Sequence, residues 1–267
     1  MQATDVARDR ANPRRPFAPK RAEDGKMLLN VACGARSHPA WNNVDFSPYT
    51  RLARRPWAAR LLHRAGLLSD VRYDRVRRVD PDIVSWDLRN GIPFADDTFD
   101  VVYHSHFLEH LERSVAPKFM RECFRVLKPE GMIRVVVPDL ELLIGRYLSS
   151  LAAFRRRQDD ALRLHGAALH ELFDQMVRTE STGATQQKAW VRRIERIFRT
   201  AANTGELHMW MYDQYSLAAL LQETGFRDPI VREHSTSAYP GWQEFALDTE
   251  PDGTPYKPYS LYMEAFK

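Results

Sequence analysis

The densest group of chemically capable side chains is His104-Ser105-His106-Phe107-Leu108-Glu109-His110, three imidazoles and a carboxylate within seven positions. Imidazole titrates near neutrality, so a histidine here can take the proton of a hydroxyl within hydrogen-bond reach. His106 is the first candidate for that base and His104 the second. The structural alternative is a helix start at Leu108-Glu109-His110-Leu111, in which Glu109 and His110 only brace a turn. Two single acids, Asp45 and Asp87, each close a short apolar run. A carboxylate so placed accepts hydrogen bonds from hydroxyl or amino groups, though a lone acid is more often a strand-end cap. The run Ala32-Cys33-Gly34-Ala35 is small enough for backbone to approach a ligand closely. Metal sets can be assembled from Asp80, Asp82 and Asp87, or from His104, His106 and His110, but spacing selects neither. No metal is expected.

These residues need a scaffold, and the chain supplies an alternating one. Apolar runs over 27–32, 43–46, 83–86, 99–103 and 132–137 read as buried strands, the last two rich in valine. A helix over 116–127 carries Phe119, Cys123, Phe124 and Leu127 on one face, and Lys128-Pro129-Glu130-Gly131 ends it. Arg51, Arg54, Arg55, Arg60 and Arg64 among Leu52, Trp57, Leu61 and Leu62 suggest a basic amphipathic helix interrupted at Pro56. Such arginines are usually the wet face of a packed helix, with peripheral membrane contact as the second reading. A helix at 216–223 and strands at 229–232 and 260–266 resume the pattern. Alternation of this kind implies a parallel sheet with helices on both sides. Ligands then bind outside the carboxyl ends of the strands. Turn, Asp45 and Asp87 fall at three successive strand ends, where the first acid meets paired ribose hydroxyls and the second an adenine amino group, with Leu88 against the ring. Together they form an adenosine site.

The order of several segments makes the likeness specific: Leu29 to Gly34, Ile92 to Tyr103, Leu108 to Leu111, Arg125 to Gly131 and Leu220 to Phe226. This succession resembles the class I S-adenosylmethionine-dependent methyltransferases of the type 11 kind. Trp41 to Asp45 and Ser260 to Ala265 resemble, within them, bacterial members associated with surface-polysaccharide synthesis. The resemblance implies an α/β, Rossmann-like sheet of seven strands in the order 3-2-1-4-5-7-6, its last strand antiparallel, with a helical insertion. Residues 27–138 and 205–267 would form the methyltransferase domain, 139–204 an acceptor cap, and 1–26 a flexible basic tail. S-adenosylmethionine would be held by Asn30, Ala32, Cys33, Gly34, Asp45, Asp87, Leu88, Tyr103 and Ser105, with Tyr103 to His106 flanking the methyl group. The chain departs from the family motif at Asn30, where an acid is usual, and at Ala32 and Arg36, where glycines are. Arg36 is a candidate partner for the methionine carboxylate.

On the acceptor side, the polar candidates are Arg146, Tyr147, His165, His170 and His208, with Trp190, Trp210 and Tyr212 as aromatic platforms. Aromatics at helical spacing are more often core, but 206–213 is a dense polar and aromatic cluster. With 39 basic against 35 acidic residues the net charge is only +4, so a nucleic-acid partner is not expected despite a pI near 9.1. Two unpaired-looking cysteines fit no disulfide framework. No run is long and apolar enough to span a bilayer, and a cytoplasmic location is expected. The expected reaction is methyl transfer to an oxygen of a sugar, glycan or other small polar metabolite. An RNA methyltransferase and a non-catalytic binding module are the alternatives.

Overall fold

A computed structural model describes residues 17–156, 158–176 and 208–267. Seven strands form one sheet: β1 (Leu28–Val31), β2 (Asn42–Asp45), β3 (Val84–Ser85), β4 (Phe99–Ser105), β5 (Leu127–Pro138), β6 (Arg227–Arg232) and β7 (Ser260–Phe266). Their order is β3-β2-β1-β4-β5-β7-β6. All neighbours from β3 to β5 run parallel, and β7 pairs antiparallel with both β5 and β6. The order reverses between β1 and β4, so the carboxyl ends of those two strands splay around a crevice.

Both faces of the central strands are covered, which explains their nearly unbroken apolar sequences. Leu29, Val31, Phe99 and Val102 face one core with helix α4 (Ala116–Val126), whereas Leu28, Val101 and Tyr103 face a second with Trp41 and Trp242. Each fully buried Leu or Phe contributes roughly 1.5–3 kcal/mol. Between β5 and β7, the fully buried Arg134 guanidinium donates to Asp248 (2.7 Å), to Glu264 (2.8 Å) and to the Thr236 and Glu233 carbonyls. An arginine in this core is tolerated because two carboxylates and two carbonyls satisfy it.

Three further helices, α1 (Pro48–Ala53), α2 (Pro56–Arg64) and α3 (Asp70–Arg78), pack together beyond β2. Pro56 starts α2 rather than interrupting one long helix, because proline is tolerated in a first turn. Helix α3 is not anticipated by the sequence pattern. Its Val71, Tyr73 and Val76 stand among Asp70, Arg72, Asp74, Arg75, Arg77 and Arg78, so its apolar period is faint. After β5, α5 (Leu140–Arg155) and α6 (Ala161–Met176) form a packed pair, and α7 (Gln214–Glu223) precedes β6.

The expectation of a flexible tail over 1–26 is corrected for its final stretch. Lys20 exchanges two hydrogen bonds with the Asn42 side chain, Phe17 meets Trp86 edge-on, and Asp24 accepts from the Tyr239 hydroxyl. Polar backbone pairing, which an apolar count cannot reveal, orders it. Residues 1–16, 157 and 177–207, with Trp190 and the second half of the expected insertion among them, lie outside the described residues.

Candidate active site

At the carboxyl ends of β1, β2, β3 and β4 the strands open into a cleft of about 2020 Å³. Its walls include Asn30, Ala32, Cys33, Gly34, Asp45, Asp87, Leu88, Tyr103, Ser105 and His106, so the residues expected to hold the cofactor share one hollow with the first base candidate. How each is held decides what it can do.

The turn after β1 reverses sharply through left-handed backbone at Ala32 (φ 55°) and Gly34 (φ 57°). A side chain at Gly34 would meet nothing within 4 Å, so the glycine is required by backbone conformation and not by crowding. Ala32 takes the same conformation with a methyl group, at a cost of roughly 1–2 kcal/mol. Asn30 offsets part of this by tying the turn down. Its amide donates to the Arg36 carbonyl (2.9 Å) and to Asn43 Oδ1 (3.2 Å), making it a buried brace.

Asp45 ends β2 and is 7% exposed. Its Oδ2 accepts from the Gly34 N–H (3.0 Å) and its Oδ1 from the Ser47 N–H (2.6 Å). Each carboxylate oxygen offers a second lone pair, so the group can fix the turn and still accept from a vicinal diol in the cleft. Asp87 is bound differently. The exposed Arg89 forks onto it, with contacts of 3.0 Å to both oxygens and 2.6 Å to Oδ2, and this pairing lowers the Asp87 pKa below the ordinary aspartate value. An adenine amino group would share Asp87 with Arg89 or displace it. Arg36 lines the cleft, where its guanidinium donates to the Thr249 carbonyl, lies 3.6 Å from Glu250 and covers the Tyr256 ring at 4.0 Å.

Strand β4 and the residue after it carry the acid–base candidates, and the left-handed backbone at His106 separates two histidines that period-2 alternation alone would set on one face. His104 turns to the α4 face, fully buried edge-on to Phe119, with no hydrogen-bond partner on either ring nitrogen. Burial pushes its pKa down to about 4. It cannot reach the cleft, so His104 is withdrawn as a base. Tyr103 lines the cleft, but its hydroxyl donates to Asp248 Oδ1 at 2.6 Å in the Arg134 network, away from any reacting group. His106 follows the strand in left-handed backbone (φ 49°), which swings its ring into the cleft. Its Nε2 lies 2.8 Å from Ser260 Oγ and its Nδ1 3.1 Å from Glu109 Oε1. Burial pushes the His106 pKa down to about 4. It is therefore a neutral imidazole at pH 7.

The acceptor candidates fare unevenly. Tyr212 is core, 4% exposed and packed in the α4-side cluster, and its backbone bridges to Asp139 just past the end of β5. Arg146 pairs α5 to α6 through Glu171 (3.1 Å) and covers Tyr259; it does not line the cleft. His165 is likewise spent between helices, on Ser150 and near Tyr147. No described residue of 139–176 lines the cleft, nor does the half-exposed Trp210, which lies under Arg113. His208 sits against His110 with ring centroids 4.8 Å apart. Sequence reasoning named Glu109 only as a turn brace and missed Ser260 and Lys257 around His106. Their signal is topological, since β7 enters beside β5 from the far end of the chain.

The chain matches a family model described as a methyltransferase domain over residues 43–135. No curated protein matches it. Solved structures similar to it include a SAM-dependent methyltransferase from Archaeoglobus fulgidus (14% identity, 91% of this chain and 86% of that one, TM-score 0.37). Another is a Burkholderia thailandensis 1,6-didemethyltoxoflavin-N1-methyltransferase with bound S-adenosylhomocysteine (14% identity, 92% and 72%, TM-score 0.39).

Proposed function

We propose that the chain, whose residues 43–135 match a methyltransferase domain, is a class I S-adenosylmethionine-dependent methyltransferase that methylates an oxygen of a small polar acceptor, a sugar or glycan hydroxyl, with His106 as base. The observation that carries this reading is the shared cleft, which sets the Gly34 turn, Asp45 and Asp87 beside a buried, neutral histidine.

S-adenosylmethionine, when bound, supplies a methyl group on a positively charged sulfur. The residues present fit it: Asp45 keeps acceptor capacity for a ribose diol, Leu88 offers an apolar edge, and Asp87 an acceptor for the adenine amino group. Ser105 and His106 border the place where the methionine end would come. Positioning the acceptor for in-line attack would supply most of the rate.

The base is prepared by its neighbours. The charge of the fully buried Glu109, 3.1 Å from Nδ1 without a formed hydrogen bond, favours the tautomer with the proton on Nδ1, so Nε2 presents a lone pair. The Ser260 hydroxyl occupies that direction, with the Lys257 carbonyl as its alternative acceptor at 2.9 Å. An acceptor hydroxyl arriving at Nε2 would take the place of Ser260, pass its proton to the ring as its oxygen attacks, and leave an imidazolium next to the Glu109 carboxylate.

The test is turnover on sugar and glycan acceptors with labelled S-adenosylmethionine. His106→Ala should lower kcat by about 10²–10⁴-fold while S-adenosylhomocysteine binds as before. Unchanged kcat would remove His106 from the chemistry. A second reading, methylation of RNA, draws on Arg51, Arg75, Arg78 and Arg89 along the cleft wall. It requires salt-sensitive RNA retention and is lost if none occurs at low salt.

A further inference from the structure

Glu109 presents an unmet demand that the base mechanism does not absorb. It is fully buried, and although Oε1 lies 3.1 Å from His106 Nδ1, the geometry is not that of a hydrogen bond. Both carboxylate oxygens therefore lack a donor. A buried anion in this condition costs several kcal/mol unless something cationic meets it.

Two imidazoles converge on the same point. Among the described residues, Glu109, His110 and His208 bring one ligand atom each to within 4.8 Å of one another. A tetrahedral ion with bonds of about 2.1 Å sets its ligands roughly 3.4 Å apart, so closure from 4.8 Å requires a contraction of up to about 1.4 Å. Side-chain rotation covers that distance. His208 already has the orientation of a ligand, because its Nδ1 lies 2.5 Å from the Gln175 carbonyl, which accepts its proton and leaves the other ring nitrogen as a lone pair. The 208–210 segment is fixed as well, because the Met209 and Trp210 N–H groups both donate to the Glu109 carbonyl, at 2.7 and 3.2 Å.

We propose that Glu109, His110 and His208 form a binding site for one divalent transition-metal ion of the zinc class, at the acceptor end of the cleft. A carboxylate with two imidazoles is an N,O donor set suited to such ions, and it supplies three ligands while leaving a coordination position open. His110 lines the cleft, so that position is reachable from it. One clause rests on the methyltransferase reading: the open position would take an oxygen of the acceptor. The metal site itself does not depend on it. Sequence spacing could not show this set, since His208 lies about a hundred positions beyond its partners.

The experiment uses the full chain stripped with a chelator and titrated with zinc chloride by calorimetry, and with cobalt chloride by visible absorption. One ion per chain and the intense cobalt bands of a four-coordinate site are expected. His208→Ala and His110→Ala should each weaken zinc binding by at least about 100-fold, with circular dichroism showing the fold retained. Glu109→Gln should do the same; if it fails to fold, the two histidine variants still decide. Substoichiometric zinc, or folded histidine variants that bind it like the parent, would overturn the assignment. S-adenosylhomocysteine titrated into the same sample separates the two claims: zinc bound without it keeps the metal site and removes the methyltransferase reading.

Discussion

Replacing Asp45 by alanine tests the cradle at its most constrained point. The carboxylate accepts two backbone N–H groups, from Gly34 and Ser47, while 7% exposed. Losing a charge-assisted acceptor for a partly buried donor costs about 1–3 kcal/mol, and water entering from the cleft recovers part of it. A net loss of about 2–3 kcal/mol is expected, which lowers the melting temperature by roughly 5–10 °C for a chain of this size. The ligand effect is separate. Two ribose hydrogen bonds to a charged acceptor contribute about 3–5 kcal/mol together, or about 10²–10³-fold in affinity. Calorimetry with S-adenosylhomocysteine reads the second quantity and a thermal melt the first. Asp45→Asn should also weaken both, because one carboxylate oxygen becomes an amide donor facing a backbone N–H. A folded Asp45→Ala protein that binds S-adenosylhomocysteine within threefold of the parent refutes the ribose assignment.

Removing Arg89 should help the cofactor and not hinder it. Its exposed pairing with Asp87 is worth about 0–1 kcal/mol, so Arg89→Ala should tighten S-adenosylhomocysteine by up to about fivefold, and a tenfold loss would mean that Arg89 itself grips the ligand. The buried histidines make stability depend on acid. His104 and His106 are held near pKa 4 in the folded chain against 6.5 unfolded, so their full contribution is present above pH 6.5. As pH falls toward 4 the unfolded chain binds protons first, and each imidazole withdraws roughly 3 kcal/mol. Urea midpoints across this range should fall steeply, and His104→Leu should flatten the slope while raising stability at pH 7; an unchanged slope contradicts the burial argument. Glu264→Ala should cost about 3–5 kcal/mol by leaving Arg134 buried with a broken network, yet a low-temperature titration should show S-adenosylhomocysteine affinity intact.

The alternation of apolar runs was enough to place β1, β2, β4, β5 and β7, because strands covered on both faces must be continuously apolar. The clustering of Gly34, Asp45 and Asp87 in one cleft was legible for the same reason, because residues at the carboxyl ends of neighbouring strands follow immediately in sequence. The acceptor side was not. Period-2 alternation hid His104 behind the sheet, and it could be read only once the side of β4 facing α4 was known. Tyr212 stands in a mixed polar and aromatic segment, yet a backbone bridge to Asp139 accompanies its burial in the core. Ser260 meets His106 across 154 positions, and His208 meets His110 from the far side of α5 and α6 in sequence, contacts that no local pattern encodes. Asp87 was found but its fork with Arg89 was not, although the two stand only two residues apart.

The cradle itself is tested most directly by a crystal structure of the full chain with S-adenosylhomocysteine. The ribose should lie on Asp45, the adenine between Leu88 and Asp87, and the sulfur toward Ser105 and His106. A nucleoside bound elsewhere, or density in which Asp45 touches no ribose oxygen, contradicts the account.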